Sequence, residues 1–435
     1  MPTKISDRKQ TRNHMKKMIA KTCIFLVIGV SFISCANRET TCTIKGKVIN
    51  RKSDTLVLQK ATGDIRFAPI KIPIKDNSFE YKLVISKIEA YNLVFQDEIK
   101  QGAWRPILLF PVNGEINCIL YSSSEFEKNQ INGSKLNTDF DSFKRSLEEN
   151  FMAKYKPIND STLSLIKSNK YYSAIMLKYQ SEINNAKDAE TRLKLNAKID
   201  SLKLSGEDLS QEAKVINEQM DRLRIEMENY KYDYIAHNPT LLSYYFLIED
   251  LQGIKYNKVN INNIRKNKEL LLNKFPDHPY NEILQTLLDS QDIIKVGGSF
   301  IDFIAPDQNG KIFRLADIIK NKYAIIDLWS SWCGPCIKTS RLLIPIYETF
   351  KDSGFTVCGV ASEIKSKDQM VKTIEKEKYP WINLIDLDNK LKIWLKYGIP
   401  NSGGGTFFID NKGKILAINP SAKEIKKILT EKIGK

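Results

Sequence analysis

Apolar runs that alternate with helical patterns fill the last third of the chain. The stretch Tyr323–Trp329 is a short and almost uninterrupted apolar run, which is typical of a buried strand, and residues 337–347 after it are predicted to be helical. Further strands are predicted at 354–360, 382–385, 405–410 and 414–418, and helices at about 334–351, 366–378, 388–396 and 421–433. This alternation predicts an α/β domain, to which we assign residues 293–435.

The N-terminal region alternates apolar and polar residues, as half-buried strands do. The dipeptide Asn113-Gly114 stands between two apolar runs and predicts a tight hairpin. The strands expected in this region are 43–48, 56–58, 79–85, 91–95, 107–112 and 116–121. We therefore predict a β-sandwich over residues 36–130, in which no residue has a catalytic pattern.

A central region of different composition follows, from about residue 131 to residue 292. Glycine becomes rare there, and apolar residues recur at roughly helical spacing on both sides of Gly206, so two helices are expected around that glycine. His237 and His278 lie at predicted breaks, as loop or capping residues rather than ligands. The fold class is therefore α+β multidomain, with a central α-helical region. A coiled-coil-like face on these helices would allow the chain to form a dimer.

The chain begins with the pattern of an export signal. Three lysines precede an apolar stretch at residues 23–33, which is shorter than the ~20 residues that a membrane-spanning helix needs. The stretch ends at Cys35 in a sequence that resembles a bacterial lipobox, where the cysteine is lipidated after cleavage. We predict that residues 1–35 are a signal peptide and lipobox, and that lipidation of Cys35 anchors the protein to a membrane on the periplasmic side of the cell envelope. An ordinary cleaved signal or an uncleaved anchor are the alternatives.

The net charge changes the picture less than its size suggests. The chain has 435 residues and a formal charge of +16, of which residues 1–34 account for +6. The remaining positive charge is spread among lysine-rich helices and indicates a solvated basic surface. Neither a phosphate-binding glycine loop nor a nucleic-acid motif is present, so nucleic-acid binding is not expected.

The seven cysteines do not form a dense disulfide framework. Cys358 falls in a predicted strand, where a buried free thiol is expected. Cys42 and Cys118 fall in the same predicted β region, and their spacing alone leaves open whether they form a disulfide.

The motif that carries chemistry is Trp332-Cys333-Gly334-Pro335-Cys336, at the predicted turn from strand to helix. A helix N-terminus presents free N–H groups and a partial positive charge, which favour a thiolate over a thiol. Cys333 is therefore expected to be the attacking sulfur, and Cys336, one turn later, to resolve the mixed disulfide. A zinc site is the alternative use of two such cysteines, but a second Cys-x-x-Cys or a His pair is lacking nearby.

This motif resembles that of the thioredoxin superfamily, and particularly of the membrane-tethered TlpA-like thiol-disulfide oxidoreductases of the bacterial cell envelope. The resemblance covers residues 296–435 and implies a thioredoxin fold opened by a hairpin at 298–303 and 312–316. It implies that Asp327 is a buried carboxylate that takes the proton of the resolving cysteine, and that Trp332 flanks the site. Gly334 and Pro335 form the dipeptide of reducing relatives.

The same resemblance supplies the expected partners. They are protein disulfide or dithiol substrates and a membrane thiol that donates electrons; a cofactor or a bound metal is not expected. It also implies that the N-terminal β region is the small domain of unknown function that often precedes the thioredoxin domain in such lipoproteins.

The sequence departs from the family at the cis-proline that faces the disulfide. That place falls on Gly404 or Gly405 here, so we expect residues 403–405 to face the Cys333 sulfur and to form a more open wall. A cis Pro400 packed on the disulfide is the alternative. Glu363, after the second parallel strand, either tunes the thiols or is a solvated carboxylate.

Two other functions compete with disulfide exchange. A peroxiredoxin needs a Pro-x-x-x-Thr/Ser-x-x-Cys pattern, in which Ser330 fits but Ile326 replaces the proline. A non-enzymatic envelope scaffold or binding lipoprotein is the third hypothesis, since most of the mature chain lies outside the redox domain. The intact Cys333 and Cys336 argue against it.

Overall fold

A computed structural model describes residues 40–64, 66–67, 69–254, 257–399 and 403–434. The predicted signal peptide and lipobox, with Cys35, and also Pro400 lie outside the described residues. Residues Thr41–Lys435 form one compact unit.

The N-terminal part consists of eight strands arranged in two sheets. The strands are β1 (Thr40–Val48), β2 (Thr55–Lys60), β3 (Ile70–Pro73), β4 (Ser78–Ile85), β5 (Tyr91–Phe95), β6 (Ile107–Leu109), β7 (Gly114–Leu120) and β8 (Gln130–Asn132). One four-stranded sheet has the order β4-β1-β7-β8 and the other the order β3-β2-β5-β6. Alternate apolar side chains from both sheets belong to one hydrophobic cluster, which stabilises this region by removing them from water.

The predicted hairpin at Asn113-Gly114 is wrong. Strand β6 pairs antiparallel with β5, whereas β7 pairs parallel with β1, so the two strands lie in different sheets. Pro111, between the two strands, has no N–H to donate to a neighbouring strand, and the N–H of Phe110 donates to Asn137 Oδ1 at 2.8 Å instead of to a strand. Long-range pairing with β1 has therefore overridden the local turn propensity.

The open question about Cys42 and Cys118 is answered by the register of β1 and β7. Cys42 lies opposite Gly114, and Cys118 lies opposite Gly46, four positions along the strand. Both thiols are free and buried in the hydrophobic cluster to which both sheets contribute. Cys358 is likewise a buried free thiol, as expected.

Helices make up the central part, as the sequence predicts. A short helix, α1 (Gln96–Lys100), precedes them, and the series continues with α2 (Lys135–Lys167), α3 (Ala174–Asn185), α4 (Ala189–Ser205), α5 (Gln211–His237), α6 (Leu241–Gly253), α7 (Ile261–Lys274) and α8 (Tyr280–Ile293). Gly206 ends α4 with a φ of 68°, a left-handed conformation that glycine adopts without a steric penalty. Helices also end at His237 and Lys274 and resume at Leu241 and Tyr280, so the predicted breaks at Gly206, His237 and His278 are confirmed.

The helical and N-terminal parts are joined by buried hydrogen bonds. His278 accepts a bond from the N–H of Tyr280 at 3.2 Å, and its Nε2 lies 2.9 Å from the carbonyl of Ile88. The Tyr280 hydroxyl accepts a bond from the N–H of Ala90 at 2.6 Å. His278 is thus a buried loop residue, while His237 is the last residue of its helix.

The C-terminal part has the predicted alternation of strands and helices. It contains β9 (Ile304–Pro306), β10 (Ile312–Arg314), α9 (Leu315–Ile319), β11 (Tyr323–Trp329), α10 (Gly334–Phe350), β12 (Phe355–Glu363), α11 (Asp368–Glu377), β13 (Ile382–Leu387), α12 (Ile393–Lys396), β14 (Gly405–Ile409), β15 (Ile415–Ile418) and α13 (Ala422–Ile433). The five-stranded sheet has the order β13-β12-β11-β14-β15. Strands β11, β12 and β13 are parallel, and β14 and β15 run antiparallel to their neighbours.

Two predicted elements of this part are displaced. The first strand of the opening hairpin is β9, which begins at Ile304 rather than within 298–303. Helix α12 is shorter than the predicted 388–396, because Asp388, Asn389 and Lys392 have positive φ angles of 56°, 54° and 54° that no α-helix allows.

Strand β11 is the centre of this sheet and carries the motif at its carboxyl end. Its side chains alternate between two faces: Ala324, Ile326 and Leu328 belong to one hydrophobic cluster, and Ile325 and Trp329 to the other, which α10 covers. By this alternation Asp327 faces α10.

Among the described helices, none combines the length and the apolar character that crossing a membrane requires.

Candidate active site

Cys333 and Cys336 lie where β11 passes into α10, and they are joined by a disulfide with a Cα–Cα distance of 5.3 Å. Cys333 is the N-cap residue of α10, and its sulfur accepts a hydrogen bond from the N–H of Cys336 at 3.3 Å. Pro335 stands in the first turn, where a helix has no use for a backbone N–H. The sequence therefore builds a helix start at which the N–H of Cys336 points at the first sulfur.

This position favours the thiolate form of Cys333 after reduction. The partial positive charge of the α10 N-terminus and the N–H of Cys336 both stabilise a negative sulfur. Cys333 is only 6% exposed and Cys336 is partly buried. The site is thus a dithiol with limited access from solvent.

Asp327 lies beneath the disulfide as a buried carboxyl group, 2% exposed. The Ser340 hydroxyl donates a 2.6 Å hydrogen bond to its Oδ2 and lies 3.1 Å from the carbonyl of Cys336. Burial raises the pKa of Asp327 to about 7, and the Ser340 bond opposes that rise. A carboxyl group with this pKa can take up and release a proton near neutral pH.

A small cavity connects this carboxyl group with the second cysteine. The cavity, of about 270 Å³, is lined by Asp327, Cys336 and Thr339 on one side and by Gly404 and Thr406 on the other, among other residues. The structure therefore brings together the predicted acid–base residue and the predicted resolving cysteine.

The glycine run lies against the sulfurs, as expected from chain order. The carbonyl oxygen of Gly403 is 2.6 Å from Cys336 Sγ, and a Cβ added at Gly403 would lie 2.9 Å from Cys333 Sγ. A Cβ at Gly404 would lie 2.8 Å from Cys336 Sγ and 2.2 Å from the carbonyl oxygen of Leu328. Glycine backbone, and not a side chain, therefore contacts the disulfide from this direction.

One detail of the glycine prediction is wrong. Gly405 does not face the sulfurs: it opens β14, and a Cβ there would meet Ile399 and Asn419. Gly404 has a φ of 143°, which proline cannot adopt because its ring fixes φ near −65°. A cis peptide bond does not occur among the described residues, and Pro400 lies outside them.

Glu363 is buried and not a solvated carboxylate, so that alternative is wrong. Its Oε1 accepts a bond from the N–H of Ser331 and its Oε2 one from the Ser331 hydroxyl, each at 2.7 Å. Burial raises the pKa of Glu363, and the bonds from Ser331 oppose the rise. Glu363 therefore fixes the loop between β11 and Cys333 rather than touching a thiol.

Trp332 is more exposed than the cysteines, at 37%, and is flanked by two side chains. The Trp394 ring lies 6.3 Å away between centroids, and the Arg66 guanidinium lies 3.7 Å above the Trp332 ring. Arg66 was not predicted from the sequence, because nothing in the pattern of the N-terminal strands indicates a contact with a residue so far along the chain. Ser340 was not predicted either, although its position one turn after Cys336 on the same helix face was a usable signal.

Comparison with known proteins covers the C-terminal part. A family model described as the AhpC/TSA family matches residues 296–418. The thiol-disulfide oxidoreductase ResA of Bacillus cereus (strain ATCC 10987 / NRS 248) is 26% identical over 140 residues, which cover 31% of this chain and 75% of that protein. ResA of Bacillus subtilis (strain 168) is 30% identical over 78 residues, 18% of this chain and 43% of that protein.

Solved structures give matches over the same part of the chain. The thioredoxin domain of a thiol-disulfide oxidoreductase from Bacteroides vulgatus is 26% identical with a TM-score of 0.30, covering 32% of this chain and 98% of that one. A thiol:disulfide interchange protein from Bacteroides sp. is 25% identical with a TM-score of 0.30, covering 33% and 92%. Taken with the sheet topology and the disulfide at the start of α10, the sequence matches identify the C-terminal third of this chain as a thioredoxin-like oxidoreductase domain.

Proposed function

We propose that this protein is a cell-envelope thiol-disulfide oxidoreductase that reduces disulfides of partner proteins through Cys333 and Cys336. The observation that carries the proposal is the pairing of a disulfide at the N-terminus of α10 with a buried carboxyl group, Asp327, whose pKa burial raises to about 7. A merely structural disulfide has no need of an adjacent proton acceptor.

The reaction begins with the dithiol form. The Cys333 thiolate attacks one sulfur of the substrate disulfide, a new bond joins that sulfur to Cys333, and the second substrate sulfur leaves with the electron pair and takes a proton from solvent. The carbonyl and N–H groups of the glycine run can pair with the substrate backbone at this stage, because no side chain stands between them and the sulfurs.

The second step returns the substrate as a dithiol. Cys336 gives its proton to Asp327 and attacks Cys333 Sγ. The bond from Cys333 to the substrate breaks, and the substrate sulfur leaves with the electron pair and takes a proton from solvent. The substrate has then gained two electrons, and the enzyme holds the Cys333–Cys336 disulfide. A thiol donor in the membrane would return two electrons to the enzyme for the next cycle.

We place the protein on the periplasmic side of the envelope, anchored through a lipid on Cys35. We also propose that its two N-terminal sheets pack as a sandwich and that the helical region offers a face for dimerisation. The support is the lipobox-like sequence before Cys35 and the series of long helices. Protein purified from its native membrane should begin at Cys35 and partition into detergent, whereas Cys35→Ser should remain in the aqueous phase. A lipid-free N-terminus elsewhere would contradict the anchor.

Disulfide exchange is favoured over peroxide reduction by the site itself. The peroxidase pattern lacks its proline at Ile326, and the partner of Cys333 is a cysteine only three positions away. The site also argues against a purely structural scaffold, because Cys333, Cys336 and Asp327 are assembled in one place.

The purified full chain should reduce insulin with dithiothreitol, and Cys333→Ser should abolish that activity. Cys336→Ser should instead accumulate mixed disulfides on Cys333, which would identify the natural substrate. Activity in Cys333→Ser equal to that of the wild type would reject the proposal.

A further inference from the structure

A contact between the N-terminal region and the active site has no place in the reaction described above. The Arg66 guanidinium carbon lies 3.7 Å from the centre of the Trp332 ring. Trp332 is the residue directly before Cys333 in the chain. Arg66 belongs to the segment between β2 and β3, far from the redox domain in sequence. The contact is therefore tertiary and brings a second structural region to the edge of the dithiol site.

Asp64 holds Arg66 in this position. Arg66 Nε donates to Asp64 Oδ1 and Oδ2 at 2.7 and 2.9 Å, and Nη2 also donates to Oδ2. The backbone N–H of Arg66 donates to Asp64 Oδ1 at 2.9 Å. The side chains are 8% exposed for Asp64 and 28% for Arg66. A guanidinium fixed by several bonds loses little further freedom when it stacks on an aromatic ring.

Arg66 contacts the exposed aromatic residue of the motif, Trp332. Trp332 is packed on Trp394 at one side and covered by Arg66 at another, while Gly403 approaches Cys333 from the glycine run. Cys333 itself is 6% exposed. Because Trp332 directly precedes Cys333 in the chain, the ring that Arg66 covers belongs to the immediate surroundings of the Cys333 sulfur.

We propose that Arg66, held by Asp64, is a positioning residue that fixes Trp332 and narrows the approach to Cys333, so that the N-terminal region selects substrates. Disulfides in flexible, extended segments reach Cys333 with Arg66 in place. Disulfides on bulky folded surfaces react only when Arg66 leaves the Trp332 ring. This inference rests on the proposed oxidoreductase function, but its first test does not need catalysis.

The first test measures access to Cys333 by alkylation of the reduced full chain in detergent. All variants carry Cys23→Ser, Cys35→Ser and Cys336→Ser, because Cys42, Cys118 and Cys358 are buried and Cys333 then reports alone. The probes are iodoacetamide and a maleimide linked to polyethylene glycol. Arg66→Ala should raise the rate with the bulky probe by about two- to fivefold, the factor that corresponds to a partly exposed cation–π contact. The rate with iodoacetamide should stay within about twofold, since that probe needs no displacement of Arg66.

Two variants control this result. Arg66→Lys keeps a cation over Trp332 but not the planar fork toward Asp64, and should restore part of the wild-type rate. Lys311→Ala removes a cation–π contact with Phe313 on β10 and should change neither rate. Equal rate increases with both probes, or none with either, would overturn the proposal whether or not the protein is an oxidoreductase.

The second test uses insulin and oxidised glutathione as bulky and small substrates of the full chain with Cys336 intact. Arg66→Ala should lower KM for insulin about two- to fivefold with kcat nearly unchanged, and leave both constants for glutathione unchanged. Trp332 fluorescence, isolated by subtraction of a Trp332→Phe sample, should change in Arg66→Ala and not in Lys311→Ala. A higher KM for insulin would show that Arg66 binds substrate and would overturn the proposal. A wild type that reduces neither substrate would reject the oxidoreductase function and leave the alkylation result standing.

Discussion

The Ser340 hydroxyl donates a 2.6 Å hydrogen bond to the carboxyl group of Asp327, and both side chains are buried under the Cys333–Cys336 disulfide. Ser340 is one helical turn beyond Cys336, so the bond ties the helix that carries the cysteines to the strand that carries the acid. It also opposes the effect of burial on the pKa of Asp327. The proton acceptor is therefore adjusted by a single neighbour that can be removed.

We predict that Asp327→Asn slows the resolving step by about a hundredfold, at the lower end of what general-base catalysis contributes. The wild-type rate should rise with pH through an inflection near 7, where Asp327 loses its proton, and the variant should lose that inflection. Ser340→Ala should move the inflection to higher pH, because the bond that lowers the pKa of Asp327 is gone. The measurement is the single-turnover release of a fluorescent peptide from Cys333. An inflection that stays in Asp327→Asn would assign it to a different group.

The same pKa has a consequence for stability. In the folded protein the pKa of Asp327 is about 7 and in the unfolded chain about 3.8, so the folded state holds its proton more tightly. The contribution of Asp327 to the free energy of unfolding is therefore fully present below pH 3.8 and is lost as pH rises through 7. Between pH 4 and pH 8, the free energy of unfolding of oxidised Asp327→Asn should rise by on the order of 3 kcal/mol relative to that of the wild type. Urea unfolding of both proteins at the two pH values measures this difference.

A matched control separates this effect from general changes with pH. Asp352 is exposed at the end of α10, and Asp352→Asn should show the same dependence on pH as the wild type. If the free energy of unfolding of Asp327→Asn differed from that of the wild type by the same amount at both pH values, the buried carboxyl group would not be the source of the pH dependence.

The active-site core was accessible to sequence reasoning because it is local. A strand, a turn and a helix follow one another within 30 residues, so chain order placed Cys333 and Cys336 at the start of a helix, and β11 has the predicted bounds. The role of Asp327 came from the resemblance to the thioredoxin superfamily. The residues that were missed or misread depend on long-range contacts. Glu363 acquires its role only when β12 lies beside β11, and Arg66 only when the N-terminal sheets pack on the redox domain.

The predicted hairpin failed for a related reason. A turn signal at Asn113-Gly114 describes a local preference, but the parallel pairing of β1 with β7 joins residues about 70 positions apart and decides the topology. Local propensity was a good guide for the helices around Gly206, where no distant strand competes.

Glu363 is predicted to order the loop before Cys333. Glu363→Ala removes the acceptor of both Ser331 bonds and leaves the buried groups unpaired, so the free energy of unfolding should fall by about 1–3 kcal/mol. Glu363→Gln keeps one acceptor oxygen and should lose less. Urea unfolding of these variants, of Ser331→Ala and of the double variant gives the coupling energy. Additive effects of the Glu363 and Ser331 substitutions would show that the two side chains do not interact.

The last predictions concern Gly404 and Gly403, the two residues of the glycine run that face the sulfurs. Gly404→Ala should destabilise the oxidised protein by about 1–3 kcal/mol, because φ is 143° and the new Cβ would lie 2.2 Å from the Leu328 carbonyl oxygen. Gly334→Ala is the control in the same site, since a Cβ there meets nothing within 4 Å. Thermal unfolding of both variants against wild type measures the contrast.

Gly403 should instead control what binds the reduced thiolates. A resident metal is not expected, but the two sulfurs face backbone rather than a proline ring, so added zinc should reach the thiolates of Cys333 and Cys336 in the reduced protein. An added methyl group at Gly403, 2.9 Å from Cys333 Sγ, should obstruct this. Gly403→Ala should weaken zinc binding by about tenfold, the lower end of what overpacking costs, without the loss of stability expected for Gly404→Ala. Competition with a chromophoric chelator measures the affinity, and Cys333→Ser gives the background. Zinc binding that is unchanged in Gly403→Ala would mean that the glycine run leaves the sulfurs when the disulfide is reduced, and that the open wall belongs to the oxidised state alone.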